Sequence, residues 1–160
     1  MLSSDHARAR EEAASHPALI DPETGLANRL HFELVYNYLF AAGDRGMAFT
    51  LMLVSCGSPS LDADWVKAVG AAVERTTRAS DLVSHVGGGR FVVILLGTNL
   101  QGARIAADRV ELALESVTAE PVSFGLAAYG PHMKKSIELL EAAESALLAA
   151  ESAGGGVELG

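Results

Sequence analysis

Arg78-Ala79-Ser80-Asp81 sets a guanidinium three residues ahead of a carboxylate. An arginine fork donates parallel hydrogen bonds and an ionised carboxylate only accepts, so the two together can read a planar polar edge. The same spacing also lets them pair with each other across a helix end. Arg104 and Arg109 follow on a helical stretch, interleaved with Asp108 and Glu111, which also describes a solvated helix face. Gly87-Gly88-Gly89-Arg90 is a turn that ends on a lone cation. Asp62 and Asp64 stand at the start of a helical pattern, where negative charge favours the helix dipole. His6, His16, His31, His85 and His132 lack the close His/Cys/carboxylate spacing of zinc sites, which leaves them surface or packing roles. Cys56 is the single cysteine, with nothing nearby in sequence to activate it, and Trp65 falls at a helical core position.

The elements that must position these residues follow from hydrophobic periodicity. Ser3 to Ser15, rich in Ala, Arg and Glu, reads as a polar helix that His16-Pro17 ends. Asp21-Pro22-Glu23-Thr24-Gly25 is turn chemistry, and Leu30, Leu34, Val35, Tyr38 and Leu39 then recur at helical spacing up to Gly43. Met47–Ser55 is a continuous apolar run suited to a strand buried on both faces. A helix is predicted over about Leu61–Thr77, then strands at Leu82–Val86 and Phe91–Leu96 joined by the glycine turn. Helices at Leu100–Val117 and Ser136–Ser152 flank a strand at Val122–Ala128, and Val157–Leu159 is a last short strand. Setting aside the first two helices, the order is βαββαβ followed by αβ, and the first six of these elements are the split βαβ of ferredoxin-like folds, an α+β class with helices on one face of a mostly antiparallel sheet. In that topology the strand ending at Ser55 runs antiparallel beside the one starting at Phe91. Ser55 and Gly87–Arg90 therefore meet at one edge of the sheet.

The chain has 160 residues, with 20 acidic against 12 basic side chains and a net charge of −8. That length is one domain, divided here as an N-terminal helix or linker over 1–17 and a globular unit over 18–160. A hydrophobic fraction of 49% supplies a core. The acidic balance excludes nucleic acid and anionic membrane as nonspecific partners. The apolar runs fall well short of the ~20 residues that span a bilayer, the N-terminus has no secretion signal, and one cysteine cannot form an internal disulfide. A cytoplasmic location with no membrane insertion is expected.

Ordered matches along the chain resemble the GGDEF domain, the catalytic domain of diguanylate cyclases. Asp21-Pro22-Glu23-Thr24-Gly25-Leu26-Ala27-Asn28-Arg29 is similar to the family's D-x-x-T-G-L-x-N-R segment. Ser80 to Phe91 resembles the strand and hairpin carrying the name-giving motif, Val122-Ser123-Phe124-Gly125-Leu126-Ala127 its V-S-x-G-x-A strand, and Ala142–Ala153 its final helix. The resemblance implies a nucleotide-cyclase-like core of about five strands plus an N-terminal helix, through which relatives commonly receive input from an upstream domain.

In the family, carboxylates at the end of the first strand and at the third and fourth motif positions hold Mg²⁺, which takes oxygen ligands. The matching residues are Ser55, Gly89 and Arg90, none a carboxylate. The family's F-K-x-x-N-D segment has no counterpart in Cys56–Ser60, its phosphate lysine matches Glu151, and its G-R-N matches Gly154-Gly155-Gly156. A rival alignment through Asp62-Ala63-Asp64-Trp65-Val66-Lys67 would restore a metal ligand, but it forces Pro59 into the central strand. These departures lead to the expectation of a degenerate, catalytically inactive domain, not an enzyme, with no catalytic residue, metal or cofactor.

Arg78 and Asp81 match the family's inhibitory-site R-x-x-D, and Arg109 matches a further guanine-contacting arginine. An arginine fork suits guanine O6 and N7, and a carboxylate suits guanine N–H groups. The resemblance therefore implies a cyclic di-GMP receptor and signalling module using Arg78, Asp81 and Arg109. A ligand-independent module that forms a homodimer or docks a protein partner is the alternative.

Overall fold

A computed structural model describes residues 16–57 and 62–160. The expected helix at Ser3–Ser15 and the start of the helix expected from Leu61 lie outside them. In chain order the described elements are α1 (Arg29–Ala42), β1 (Phe49–Ser55), α2 (Ala63–Arg75), β2 (Leu82–Gly87), β3 (Arg90–Leu96), α3 (Leu100–Leu114), β4 (Ser123–Ala128), α4 (Ser136–Ser152) and β5 (Gly156–Leu159). Short 3₁₀ turns at Pro17–Leu19 and Gly43–Arg45 flank α1.

Every residue of β1 is buried, which a strand in the middle of a sheet covered on both faces requires. The sheet order is β2-β3-β1-β4-β5, antiparallel throughout except for the β4–β5 pair. This is the split βαβ with one parallel strand added. Side chains alternate along β1: Met52 and Val54 pack with Val66, Val69 and Val73 of α2 and Ala103, Ala107 and Val110 of α3. Phe49, Leu51 and Leu53 pack with Phe32, Tyr36 and Leu39 of α1 and Leu139, Ala143 and Leu147 of α4. The one-face packing expected of the βαββαβ core holds for α2 and α3, while α1 and α4, outside that core, cover the opposite face because β1 presents large apolar groups to both sides.

Local chemistry sets the helix starts. Asn28 accepts a hydrogen bond from the His31 N–H at the head of α1, Asp62 from Asp64 at α2, and Asn99 from Gly102 at α3. On β4, a Cβ at Gly125 would stand 2.4 Å from both the Ala143 carbonyl oxygen and the Leu147 nitrogen, so α4 lies directly on the strand. Only glycine permits that approach.

Two buried acids give this core an alkaline limit. Burial pushes the Cys56 thiol up to about 12 and the Tyr36 phenol, whose hydroxyl donates to the Ser136 carbonyl, up to about 12. In the unfolded chain the same groups ionise near pH 8.5 and 10. The unfolded state therefore releases protons first, and the stability these groups contribute is complete below about pH 8.5 and drains away as pH rises towards 12. The urea midpoint is expected to fall between about pH 8 and pH 10.5, and Cys56, with no exposed surface, to resist a thiol reagent at about pH 8 until denaturant is added.

Candidate functional site

Arg78 to Asp81 form the turn between α2 and β2, closed by the Asp81 N–H on the Arg78 carbonyl at 3.0 Å. The Asp81 side chain is only 3% exposed and is already engaged. Its Oδ2 accepts from the Arg78 backbone N–H at 2.9 Å, and its Oδ1 accepts from the Leu96 N–H at 3.2 Å and from the Arg78 guanidinium at 3.4 Å. The guanidinium also donates to the Leu96 carbonyl at 2.8 Å and to Thr98 Oγ1 at 2.7 Å, yet the Arg78 side chain stays 59% exposed. Asp81, Leu96 and Thr98 thus hold the Nε and Nη2 donors of the guanidinium from below, while the side chain as a whole stays open to solvent. Arg78, Asp81 and Arg109 line one cleft of about 230 Å³ together with Thr98, Gly102 and Ile105. All three residues expected to form a site are brought together. Arg104 does not line this cleft. Thr98 escaped the sequence reading because its hydroxyl looks like an ordinary residue ahead of the Asn99 cap.

At the opposite end of β2 the sheet edge assembles as the topology requires. Ser55 is registered against Arg90, and the Cys56 N–H donates to the Gly89 carbonyl at 2.9 Å. Glu151 of α4 reaches this edge: its carboxylate accepts from Arg90 Nη2 at 3.1 and 3.2 Å and lies 3.4 Å from Ser55 Oγ. β1 ends at Ser55 and Asp62 caps α2, so the rival placement of Asp62 and Asp64 at the end of the central strand does not occur. A hard cation such as Mg²⁺ takes carboxylate and phosphate oxygens. Glu151 is committed to Arg90, and Ser55, Gly89 and Arg90 carry no carboxylate, so these residues do not fit Mg²⁺. The Arg90–Glu151 pair is 57% and 29% exposed, which limits its worth to about 1 kcal/mol or less. Arg90→Ala is expected to leave the melting temperature within a few degrees of the parent, as thermal unfolding would show.

A third cluster was hidden by sequence distance. A bridge from Ala27 to Ser84 lays the Asp21–Gly25 turn against β2, and His85, 64 residues from Asp21, places its Nδ1 3.0 Å from Asp21 Oδ2 and 3.9 Å from Glu23 Oε2. The surface or packing role expected of His85 missed these carboxylate partners, because linear spacing does not report a contact made through sheet pairing.

The family model for "Diguanylate cyclase, GGDEF domain" matches residues 63–156. The chain belongs to the GGDEF family. Among solved structures, this GGDEF domain is similar to the coiled coil and GGDEF domain of DgcB from Caulobacter crescentus in complex with c-di-GMP. That likeness has a TM-score of 0.80 at 18% identity and covers 99% of this chain and 94% of that one. It is also similar to diguanylate cyclase SiaD from Pseudomonas aeruginosa in complex with its activator SiaC. There the TM-score is 0.80 at 20% identity, over 95% of this chain and 65% of that one. Both likenesses concern the fold.

In sequence, the GGDEF domain is 30% identical over 151 residues to the probable diguanylate cyclase DgcC of Escherichia coli, a match over 84% of this chain and 41% of that protein's length. This finding overturns the expectation that the chain is not an enzyme. That expectation rested on Ser55, Gly89 and Arg90 alone, whereas the likeness to an enzyme family runs along most of the chain. The edge is also not bare of acid, because Glu151 enters it from α4, 61 residues beyond Arg90. Among the described residues no helix is long and apolar enough to cross a membrane.

Proposed function

We propose that this GGDEF domain binds cyclic di-GMP in the cleft of Arg78, Asp81 and Arg109 and acts as a signalling module. The observation that carries this reading is the exposed Arg78 side chain, oriented by Asp81, sharing one cleft with a second arginine. An arginine fork matches guanine O6 and N7, and a dinucleotide's phosphates favour cations on a chain otherwise at −8. A cleft of about 230 Å³ is smaller than the sites that enclose drug-sized ligands, so it takes one guanine base and leaves the rest of the ligand over the exposed arginines. Asp81, engaged by two backbone N–H groups, acts by holding Arg78 in place. The likeness to DgcB, whose structure holds c-di-GMP, supports the choice of ligand.

Parallel calorimetric titrations with cyclic di-GMP and with GTP test this reading. A saturable heat with cyclic di-GMP at micromolar concentration is expected; no heat at high micromolar ligand contradicts it. One feature favours a second reading, a protein-docking or dimerisation module. Leu30, Leu34 and Tyr38 lie four residues apart on α1 and are 48%, 56% and 72% exposed. A self-association equilibrium indifferent to both nucleotides supports that reading over the first.

A further inference from the structure

We propose that the groove between α1 and α4 is a docking site for a basic amphipathic helix of a partner protein. α4 packs on β4 and β1 while α1 packs on β2, so the two helices cover one face of the sheet and barely meet each other. They are tied at one end, where the Tyr36 hydroxyl donates to the Ser136 carbonyl. From there a groove of about 600 Å³ runs towards the glycine hairpin. Its floor is the registered pair of Leu53 on β1 and Val92 on β3, and its walls carry Phe32 and Tyr36 on one side and Leu140 and Leu147 on the other. It shares no lining residue with the Arg78 cleft, so occupancy of one does not require the other.

The shape suits a helix. Lining residues run from Arg29 to Asn37 on α1 and from Ser136 to Glu151 on α4, lengths of about 12 Å and about 22 Å, or about two to four helical turns. A trough of that length takes an amphipathic helix through apolar anchors one turn apart. Among the described residues, five of the nine large apolar side chains left exposed belong to the two helices that form it: Leu30, Leu34 and Tyr38 of α1, and Ile137 and Leu148 of α4. Single exposed apolar residues are ordinary, but their concentration beside an apolar groove marks an interaction surface. Ile137 and Leu148 line the groove itself, which leaves it open to solvent along α4.

Charge selects the partner. Glu33 on one wall and Glu144 on the other are exposed and have no ion-pair partner among the described residues. α4 adds Glu138 and Glu141 and contains no Lys or Arg. The two arginines that line the groove stand at its hairpin end and are engaged, Arg90 by Glu151 and Arg29 on the Val86 carbonyl. A helix whose apolar stripe is flanked by Lys or Arg therefore sets cations against free carboxylates. A second copy of this chain is disfavoured on the same ground. A two-fold contact places a surface patch against itself, which here brings glutamates to glutamates.

NMR titration of the methyl-labelled full chain with two synthetic helical peptides tests the docking site. Both peptides carry leucines one turn apart along one face; one has lysines at the flanking positions and the other glutamates. The lysine peptide is expected to give saturable shifts centred on the methyls of Leu53, Val92, Leu140 and Leu148, and to bind at least about 10-fold more tightly than the glutamate peptide at low salt. Leu148→Asp alters a side chain that is 65% exposed, so it is expected to melt with the parent while weakening the lysine peptide about 10-fold. Glu33→Lys combined with Glu144→Lys is expected to reverse the order of the two peptides. Equal affinity for both peptides, an order that survives the double reversal, shifts spread over the acidic surface, or no saturable shift overturns the proposal. So does a concentration-dependent shift of the same methyls in the peptide-free chain that Leu148→Asp abolishes, which would seat a second copy in the groove.

Discussion

Replacing Arg78 with alanine is expected to weaken cyclic di-GMP binding roughly 10- to 100-fold and to leave the fold intact. The loss follows from the geometry of the fork: a bidentate arginine contact to a guanine edge is worth about 1–3 kcal/mol of recognition. The fold survives because the Arg78 side chain is 59% exposed, so water reaches the Leu96 carbonyl and the Thr98 hydroxyl that it leaves behind. Arg78→Lys separates charge from shape, since lysine keeps the cation and loses the planar pair of donors. It is expected to fall between the parent and the alanine variant. Calorimetry reads the affinity, and a thermal melt within a few degrees of the parent confirms that only the site was changed. Equal affinity in the alanine variant contradicts the assignment.

Gly125→Ala is expected to be among the most damaging single-methyl changes to stability, costing about 1–3 kcal/mol. The added carbon would meet the Ala143 carbonyl oxygen and the Leu147 nitrogen at 2.4 Å and the Leu147 Cα at 2.8 Å. All three are backbone atoms, so no rotamer change relieves the clash and α4 itself must lift from β4. That helix carries Leu139, Ala143 and Leu147 into the core shared with Phe49, Leu51 and Leu53, so the displacement propagates. Against a total stability of roughly 5–15 kcal/mol for a domain, the change is large enough to read directly in a urea titration. A midpoint unchanged from the parent contradicts the close packing of α4 on β4.

Particular residues show what the sequence could and could not convey. The run from Phe49 to Ser55 is apolar at nearly every position, which announced a doubly covered central strand, and the glycines after Val86 announced the hairpin beside it. Those two features fixed the meeting of Ser55 with Arg90, which the register confirms. The Arg78–Asp81 spacing and Arg109 were readable as candidates because short motifs and helical offsets are local information. Their convergence in one cleft needed the packing of α3 against the turn before β2. Contacts between distant segments were beyond reach. Glu151 answers Arg90 from 61 residues away, and Asp21 answers His85 from 64, through strand pairing and helix docking that no linear spacing encodes. The expectation of a non-enzyme failed for a related reason, since it weighed a few motif positions against a likeness that extends over most of the chain.

The measurement that bears most directly on the central claim is an NMR titration of the full chain with cyclic di-GMP, mapping which backbone amides and arginine Nε–H signals move. The account expects saturable shifts centred on Arg78, Asp81, Thr98 and Arg109, with those of β4 and β5 unmoved. Shifts centred instead on the Ser55–Arg90 edge, or the absence of any saturable shift, would contradict it.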